Sequence, residues 1–341
     1  MREGSSIFRS LCFTGGIGGG LLLSNVERFP VGLLMASLLA YSIFLWKKGI
    51  KTEKSFLLCF FASGLVCALM NGEPEPVLSM DFPLTHRVRN FIRAIPFQDK
   101  LHAELLCALL TGDRSGIPSS VRQIFRDSGG SHLLALSGMH MGIIYLCFSR
   151  VMEIFGNHPK WKKVRSLFIV SFCAFYTLAV GAGHSIVRAF LFILLRETSC
   201  CLERKTDSRD ILCNGLILQL ALTPHALFDV GFQLSYLAMS GITFLFPILN
   251  KWYHGKIWES CALSISCQVF TGPLAYLKFG SLPLYFMLTN LISIPLTSLV
   301  MGTSLLLLVS RTFTWDIPLL VRICEGTCRL LLFSLELIST L

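Results

Sequence analysis

Charged residues are scarce in this 341-residue sequence: 15% are Asp, Glu, Lys or Arg, while 53% are hydrophobic. A soluble domain ordinarily carries about a quarter charged residues, so a water-soluble globular class is excluded. A phosphate-cradling loop is also missing. The glycine-rich stretch from Gly15 to Gly20 reads GGIGGG with no Gly-Lys-Ser or Gly-Lys-Thr, so any energy must come from a partner or a gradient. The 13 cysteines contain no C-x-x-C followed by a partner pair, which argues against structural zinc. Most, such as Cys59, Cys67, Cys107, Cys173, Cys213, Cys261 and Cys267, sit in apolar stretches and read as buried free thiols rather than disulfides. Only the adjacent Cys200 and Cys201 lie beside a charged loop. The apolar runs lack the two-residue alternation of a barrel strand, so a membrane barrel is excluded as well.

What remains is helix. Lipid satisfies no backbone hydrogen bond, and roughly 20 apolar residues at about 1.5 Å rise each cross its hydrocarbon layer. Runs of that kind cover 30–46, 55–70, 132–148, 167–180, 228–249 and 282–309, with weaker ones at 11–23, 184–195, 211–226, 261–277 and 319–341. The expected fold is therefore all-α: a polytopic membrane bundle of roughly ten crossing or embedded helices, with no soluble domain able to fold alone. No small-x-small cleavage site follows the first run, so it is read as a retained helix rather than a leader. The predicted organisation is N-terminal transmembrane helices over 1–70, an external loop over 71–98, a core over 99–310 and a C-terminal apolar helix over 311–341.

Basic residues cluster in four loops: Lys47, Lys48, Lys51 and Lys54; Lys160, Lys162, Lys163 and Arg165; Arg204, Lys205 and Arg209; and Lys251 with Lys256. The positive-inside rule puts all four in the cytoplasm. An even number of spans then separates them, provided that the acidic stretch with Glu73, Glu75 and Asp81 lies outside.

Between 71 and 130 the prolines Pro74, Pro76, Pro83 and Pro96 and the charge density forbid an ordinary spanning helix. Two short amphipathic helices near 99–128 are expected instead, the first carrying Leu101, Leu105, Leu106, Leu109 and Leu110, the second Val121, Ile124 and Phe125 behind Pro118. A Gly112-Asp113-Arg114 turn joins them, and the pair would lie along an interface or line a polar cavity. After Gly129-Gly130, Ser131 can cap a further helix. On it Ser131, Ala135, Gly138 and Gly142 form a small-residue packing stripe, with Ser137 and His140 roughly opposite. Elsewhere Arg188, Asn214, Gln219, Gln233, Ser235, Ser240, Gln268, Thr271 and Asn290 interrupt apolar runs. Each uncharged one is either glue between helices or pathway lining; Arg188, permanently charged, either snorkels or faces an anion or carboxylate.

ALLTGDRSGIPSSVRQIFRDSGGSHLLALSGMHMGI, over 108–143, resembles the signature of the ComEC family of competence proteins, inner-membrane channels for DNA uptake. The likeness continues in order through HSIVRAF at 184–190, FDVGFQLSYL at 228–237 and the Asn-to-Pro segment at 289–295. It implies a multi-pass inner-membrane protein that passes single-stranded DNA during natural transformation. The implied partners are single-stranded DNA, the lipid bilayer, a DNA receptor, a cytoplasmic helicase or ATPase and a separate nuclease, with a homo-oligomeric pore as one arrangement; no cofactor or metal is implied. Two departures stand out. The stretch 71–87 is too short for the external OB-like domain of longer members, and the HxHxDH ligands of their metallo-β-lactamase-like domain do not occur, so no nuclease step is assigned to the chain.

A polyanion needs a wet path lined by donors. Where motif and polarity coincide, the path candidates are Asp113, Arg114, Arg122, Arg126, His132, Ser137, His140, Arg188, Gln233, Ser235 and Asn290, with Gly138 and Gly142 as packing positions. Asp113 enters as a turn former or arginine partner, the histidines have packing as their alternative, and Phe125 or Tyr236 are candidates for stacking bases. Two other classes compete: a transporter of another anionic or amphipathic solute, and an intramembrane serine hydrolase built on Ser137 with His140, His184 or His225 as base.

Overall fold

In a computed structural model of the protein, the described residues are 3–23, 53–70, 83–134, 138–154, 161–181, 183–203, 207–253, 255–280, 285–313, 315 and 317–340. Among them there are helices and turns and no strand. The helices are α1 (Glu3–Leu23), α2 (Glu53–Met70), α3 (Pro83–Arg93), α4 (Lys100–Thr111), α5 (Ser119–Asp127), α6 (Ser131–Leu134), α7 (Gly138–Ile154), α8 (Lys162–Ala179) and α9 (His184–Cys201). They continue with α10 (Ser208–Leu222), α11 (Val230–Leu249), α12 (Lys256–Phe279), α13 (Phe286–Thr312) and α14 (Pro318–Ser339). Three of the described helices, α11, α12 and α13, are long and apolar enough to cross a membrane. The run expected at 30–46, most of the acidic 71–87 stretch and Lys47, Lys48, Lys51, Lys160, Arg204 and Lys205 lie outside the described residues. So do Ala135 and Ser137. Within the run read as one helix from Ser131, α6 ends at Leu134 and α7 begins at Gly138.

The chain forms two compact units, one of 1–77 with 194–239, the other of 78–193 with 240–341. In the first, α1 and α2 pair through glycine. A Cβ on Gly16 would fall on the backbone carbonyl of Phe61, and one on Gly64 on that of Phe13, so each helix presses its backbone against the other. Lipid gives no hydrophobic reward for helix association, and close backbone packing of this kind is what replaces it. Phe13, Ile17, Ala62, Leu65 and Ala68 are buried along the seam. The glycines that failed as a phosphate loop thus serve as a packing face.

The second unit is built around α4. Asp99 caps it by accepting from the Leu101 N–H, and Gly112, at φ 74°, ends it in the left-handed conformation that glycine adopts without strain. The expected amphipathic, surface-lying helix is only half right. From Leu105 to Thr111 every residue is buried, because α4 is enclosed by α3, α13 and α14. The reason is legible in hindsight: Lys100 and Glu104 confine polarity to the first turns, and Ala103, Cys107 and Ala108 give the second half no polar face. By contrast α5 keeps two faces, with Val121 and Phe125 buried and Arg122, Gln123, Arg126 and Asp127 exposed. Leu105, Leu106, Leu109, Phe125, Leu133, Leu331 and Leu335 form the common core.

Candidate functional site

The Gly-Asp-Arg turn is held by charge from two neighbouring helices. Asp113 Oδ1 accepts from the Ser115 N–H at 3.1 Å and from Ser115 Oγ at 2.7 Å, a turn closed on itself. Asp113 Oδ2 faces Arg89 Nε and Arg93 Nη2, both at 3.4 Å. Arg93 also forks onto Glu104, with Nε to Oε1 and Nη2 to Oε2 each at 2.9 Å. Burial alone would raise the Asp113 carboxyl, but the Ser115 hydrogen bonds and the two guanidinium groups outweigh it and hold it below its ordinary value. Gly116 completes the turn, since a Cβ there would run into the Glu104 carboxylate. Arg89, Arg93 and Glu104 were missed by sequence reading. Their signal was charge on α3 and α4 that no apolar pattern required.

Arg114 leaves this network. Its Nε donates to the Leu134 carbonyl at 2.9 Å, while the side chain stays exposed. Arg122 and Arg126, one turn apart on α5, are exposed as well. The turn's acid is therefore matched by arginines of α3, and its own arginine and those of α5 present their charge outward.

Other candidates are placed differently. His132 is exposed, its Nδ1–H donating to the Gly129 carbonyl at 3.2 Å. His140 is fully buried and Arg188 is 4% exposed, so Arg188 does not snorkel. Phe125 and Tyr236 are both buried, Tyr236 donating its hydroxyl to Gln219 Oε1 at 3.0 Å, and neither offers a free ring face to a base. Gln233 Nε2 donates to the Leu227 carbonyl at 2.8 Å, which is the glue role; Ser235 is half-buried on the same helix. Asn290 Nδ2 donates to Ser264 Oγ at 3.4 Å. Gly138 carries ordinary packing, its Cβ position 3.7 Å from the Ala189 Cβ, whereas a Cβ on Gly142 meets nothing within 4 Å among the described residues. Close helix approach occurs instead at Gly16, Gly64 and Gly241, the last lying against the Ser266 backbone.

Three of the four ordered motifs meet in the second unit. Thr289 Oγ1 donates to the Ser128 carbonyl, tying the 289–295 segment to the end of α5. The Gly138–Ala189 contact ties the first motif to the second. The 228–237 motif, with Gln233 and Ser235, lies in the other unit.

The family model described as "Competence protein" matches residues 109–341. ComE operon protein 3 of Bacillus subtilis is 27% identical over 224 residues, 66% of this chain and 28% of that protein. Competence protein ComA of Neisseria gonorrhoeae is 27% identical over 197 residues, 56% of this chain and 28% of that protein. Recombination protein 2 of Haemophilus influenzae is 26% identical over 239 residues, 62% of this chain and 29% of that protein. The aligned part is thus under a third of each of these relatives. No solved structure matches. Since the matched stretch takes in the Gly-Asp-Arg turn and every described helix from α5 onward, the chain belongs to the ComEC family of competence proteins.

Proposed function

We propose that this protein is the membrane-embedded conduit through which single-stranded DNA enters the cytoplasm during natural transformation, as a multi-pass protein of the bacterial inner membrane. One observation carries the reading. The carboxylate of the Gly-Asp-Arg turn is matched by Arg89 and Arg93, while Arg114 of the turn and Arg122 and Arg126 of α5 remain exposed. A phosphodiester chain needs basic groups that replace its counterions, and here three exposed arginines outnumber the one exposed carboxylate of α5, Asp127, which accepts from Gln123 Nε2. Arginine suits phosphate contacts because its permanently charged planar fork matches pairs of phosphate oxygens. His132 is exposed as well, and Asn290 is packed against Ser264 of α12. Arg188 and His140 act within the packed core rather than as direct phosphate contacts. A receptor delivers the strand, a nuclease on another polypeptide removes its complement, and a cytoplasmic ATPase or the membrane gradient draws it inward; a pore of several copies is compatible with this scheme.

The test is charge reversal on α5 in the native host. Uptake of labelled DNA by a deletion strain complemented with the Arg122→Glu/Arg126→Glu variant should fall at least tenfold below wild type, at equal membrane abundance. Uptake at the wild-type level overturns the conduit reading, and loss of small-anion flux with intact DNA uptake would point to the solute transporter instead.

A further inference from the structure

Six hydroxyl groups on α13 follow the ordinary helical habit of bonding a carbonyl one turn back: Thr289 to Tyr285 at 3.0 Å, Ser298 to Ile294 at 2.9 Å, Thr303 to Leu299 at 2.8 Å, Ser304 to Met301 at 2.8 Å, Ser310 to Leu307 at 2.9 Å and Thr312 to Leu308 at 2.8 Å. Two do not. Ser293 Oγ and Thr297 Oγ1, on residues that are 0% exposed, have no hydrogen-bond partner among the described residues, and neither does the buried Asn290 Oδ1. The three positions are i, i+3 and i+7, which at 100° per residue puts them in a sector of about 60° on a helix long and apolar enough to span the membrane. Unpaired buried oxygens are costly in such a helix, and here three share one face.

The direction of Asn290 is set by its neighbour. Its Nδ2 donates to Ser264 Oγ of α12, so its amide spends the donor there and turns the acceptor oxygen elsewhere. Ser264 is itself 6% exposed. Pro295, inside the same stretch, has no N–H to return to the Leu291 carbonyl and leaves one more acceptor in these two turns. The face therefore offers neutral oxygen acceptors and no charge. Among the described residues no group of three or more His, Cys, Asp or Glu side chains could hold a metal ion, and a divalent or transition-metal ion is not matched by such ligands. An anion would meet only neutral hydroxyls and a second amide N–H here, with no cationic side chain on the face to offset its charge. A monovalent alkali cation fits: it takes neutral hydroxyl, amide and carbonyl oxygens in interrupted membrane helices, and the Asn290, Ser293 and Thr297 oxygens keep their lone pairs free to face it.

We infer that the Asn290, Ser293 and Thr297 face of α13, beside Ser264 of α12, is a binding site for a monovalent alkali cation. The site is independent of DNA as cargo, and it supplies a place at which a cation gradient acts on a protein whose sequence carries no phosphate-binding loop.

The purified full-length protein in detergent is melted in LiCl, NaCl, KCl or choline chloride at one ionic strength. At least one alkali ion is expected to raise the melting temperature over choline in a saturable manner. Ser293→Ala and Thr297→Val should lose that shift, and Ser298→Ala, whose hydroxyl is already bonded within the helix, should keep it. Asn290→Asp adds a full negative charge and should lower the half-saturating cation concentration several-fold, which keeps the test open if the alanine variant fails to fold. Equal melting in all four salts overturns the inference, as does a cation shift unchanged in Ser293→Ala and Thr297→Val, or an Asn290→Asp protein that folds and shows no tighter cation dependence.

Discussion

Asp113 is the position where charge, turn geometry and family motif coincide, and its replacement separates their contributions. Asp113→Asn keeps an acceptor oxygen for Ser115 and loses both arginine attractions. Each is a partly exposed pair at 3.4 Å, worth about 0.2–1 kcal/mol, so the expected cost is about 1 kcal/mol. Asp113→Ala also loses the two Ser115 hydrogen bonds at 2.7 and 3.1 Å, each worth roughly 0.5–1.5 kcal/mol, for a total of about 2–3 kcal/mol. Arg93 keeps its fork on Glu104 in both cases, which limits the loss. Thermal unfolding in detergent is the assay, and at roughly 2–4 °C per kcal/mol for a unit of this size the alanine variant should melt lower by roughly 4–12 °C, with asparagine in between. The wild type has a pH signature too. Because the folded carboxyl is held below its ordinary value, its stabilisation is present above the unfolded value of about 4 and is lost as pH falls through the lower folded value. The wild-type excess in melting temperature over Asp113→Asn should therefore hold from neutrality to about pH 5 and shrink below about pH 4. An Asp113→Ala protein that melts with wild type, or a difference that grows on acidification, would refute the ion-pair role.

Gly64→Leu should prevent α1 from seating on α2, costing at least 1–3 kcal/mol as overpacking against backbone, measured as lost folded protein in membranes. Gly142→Ala meets no atom within 4 Å among the described residues and should be neutral or gain up to about 1 kcal/mol in helix propensity, seen as an unchanged or higher melting temperature. Arg188→Glu reverses charge at a 4% exposed position and is expected to reduce folded protein by about 3 kcal/mol or more of lost stability, so its uptake defect should track protein abundance rather than exceed it.

The helical class was legible because apolar runs without strand alternation leave lipid-embedded helix as the one backbone solution. The amphipathic helix α5 was legible because its charges return every third or fourth residue. The burial of α4 was only partly legible: Leu101, Leu105 and Leu109 mark one apolar face and Ala103, Cys107 and Ala108 leave the rest without polarity, but small residues do not tell which helices cover them. Small residues were similarly ambiguous. Gly138 and Gly142 lie at equivalent spacing, yet only Gly138 has a neighbour in reach, and the closest contacts fall at Gly16 and Gly64. Ion pairing at the Gly-Asp-Arg turn was partly visible, Asp113 having been assigned a turn or arginine role, but its partners Arg89 and Arg93 come from α3, and sequence separation conceals such pairs. Polar interruptions divided as their chemistry allowed: Gln233 and Gln219 are spent on hydrogen bonds within the first unit, while Ser293 and Thr297, which were not singled out as path candidates, keep unused oxygens.

Photo-crosslinking of DNA in transit tests the conduit most directly. A benzophenone amino acid at Gln123, exposed on α5 between Arg122 and Arg126, and another at Phe333, 61% exposed on α14, would be illuminated in transforming cells supplied with labelled DNA. A conduit along the arginine face predicts protein–DNA adducts from position 123 and none from position 333. Normal DNA uptake with no adduct at 123, or with equal adducts at both positions, would contradict it.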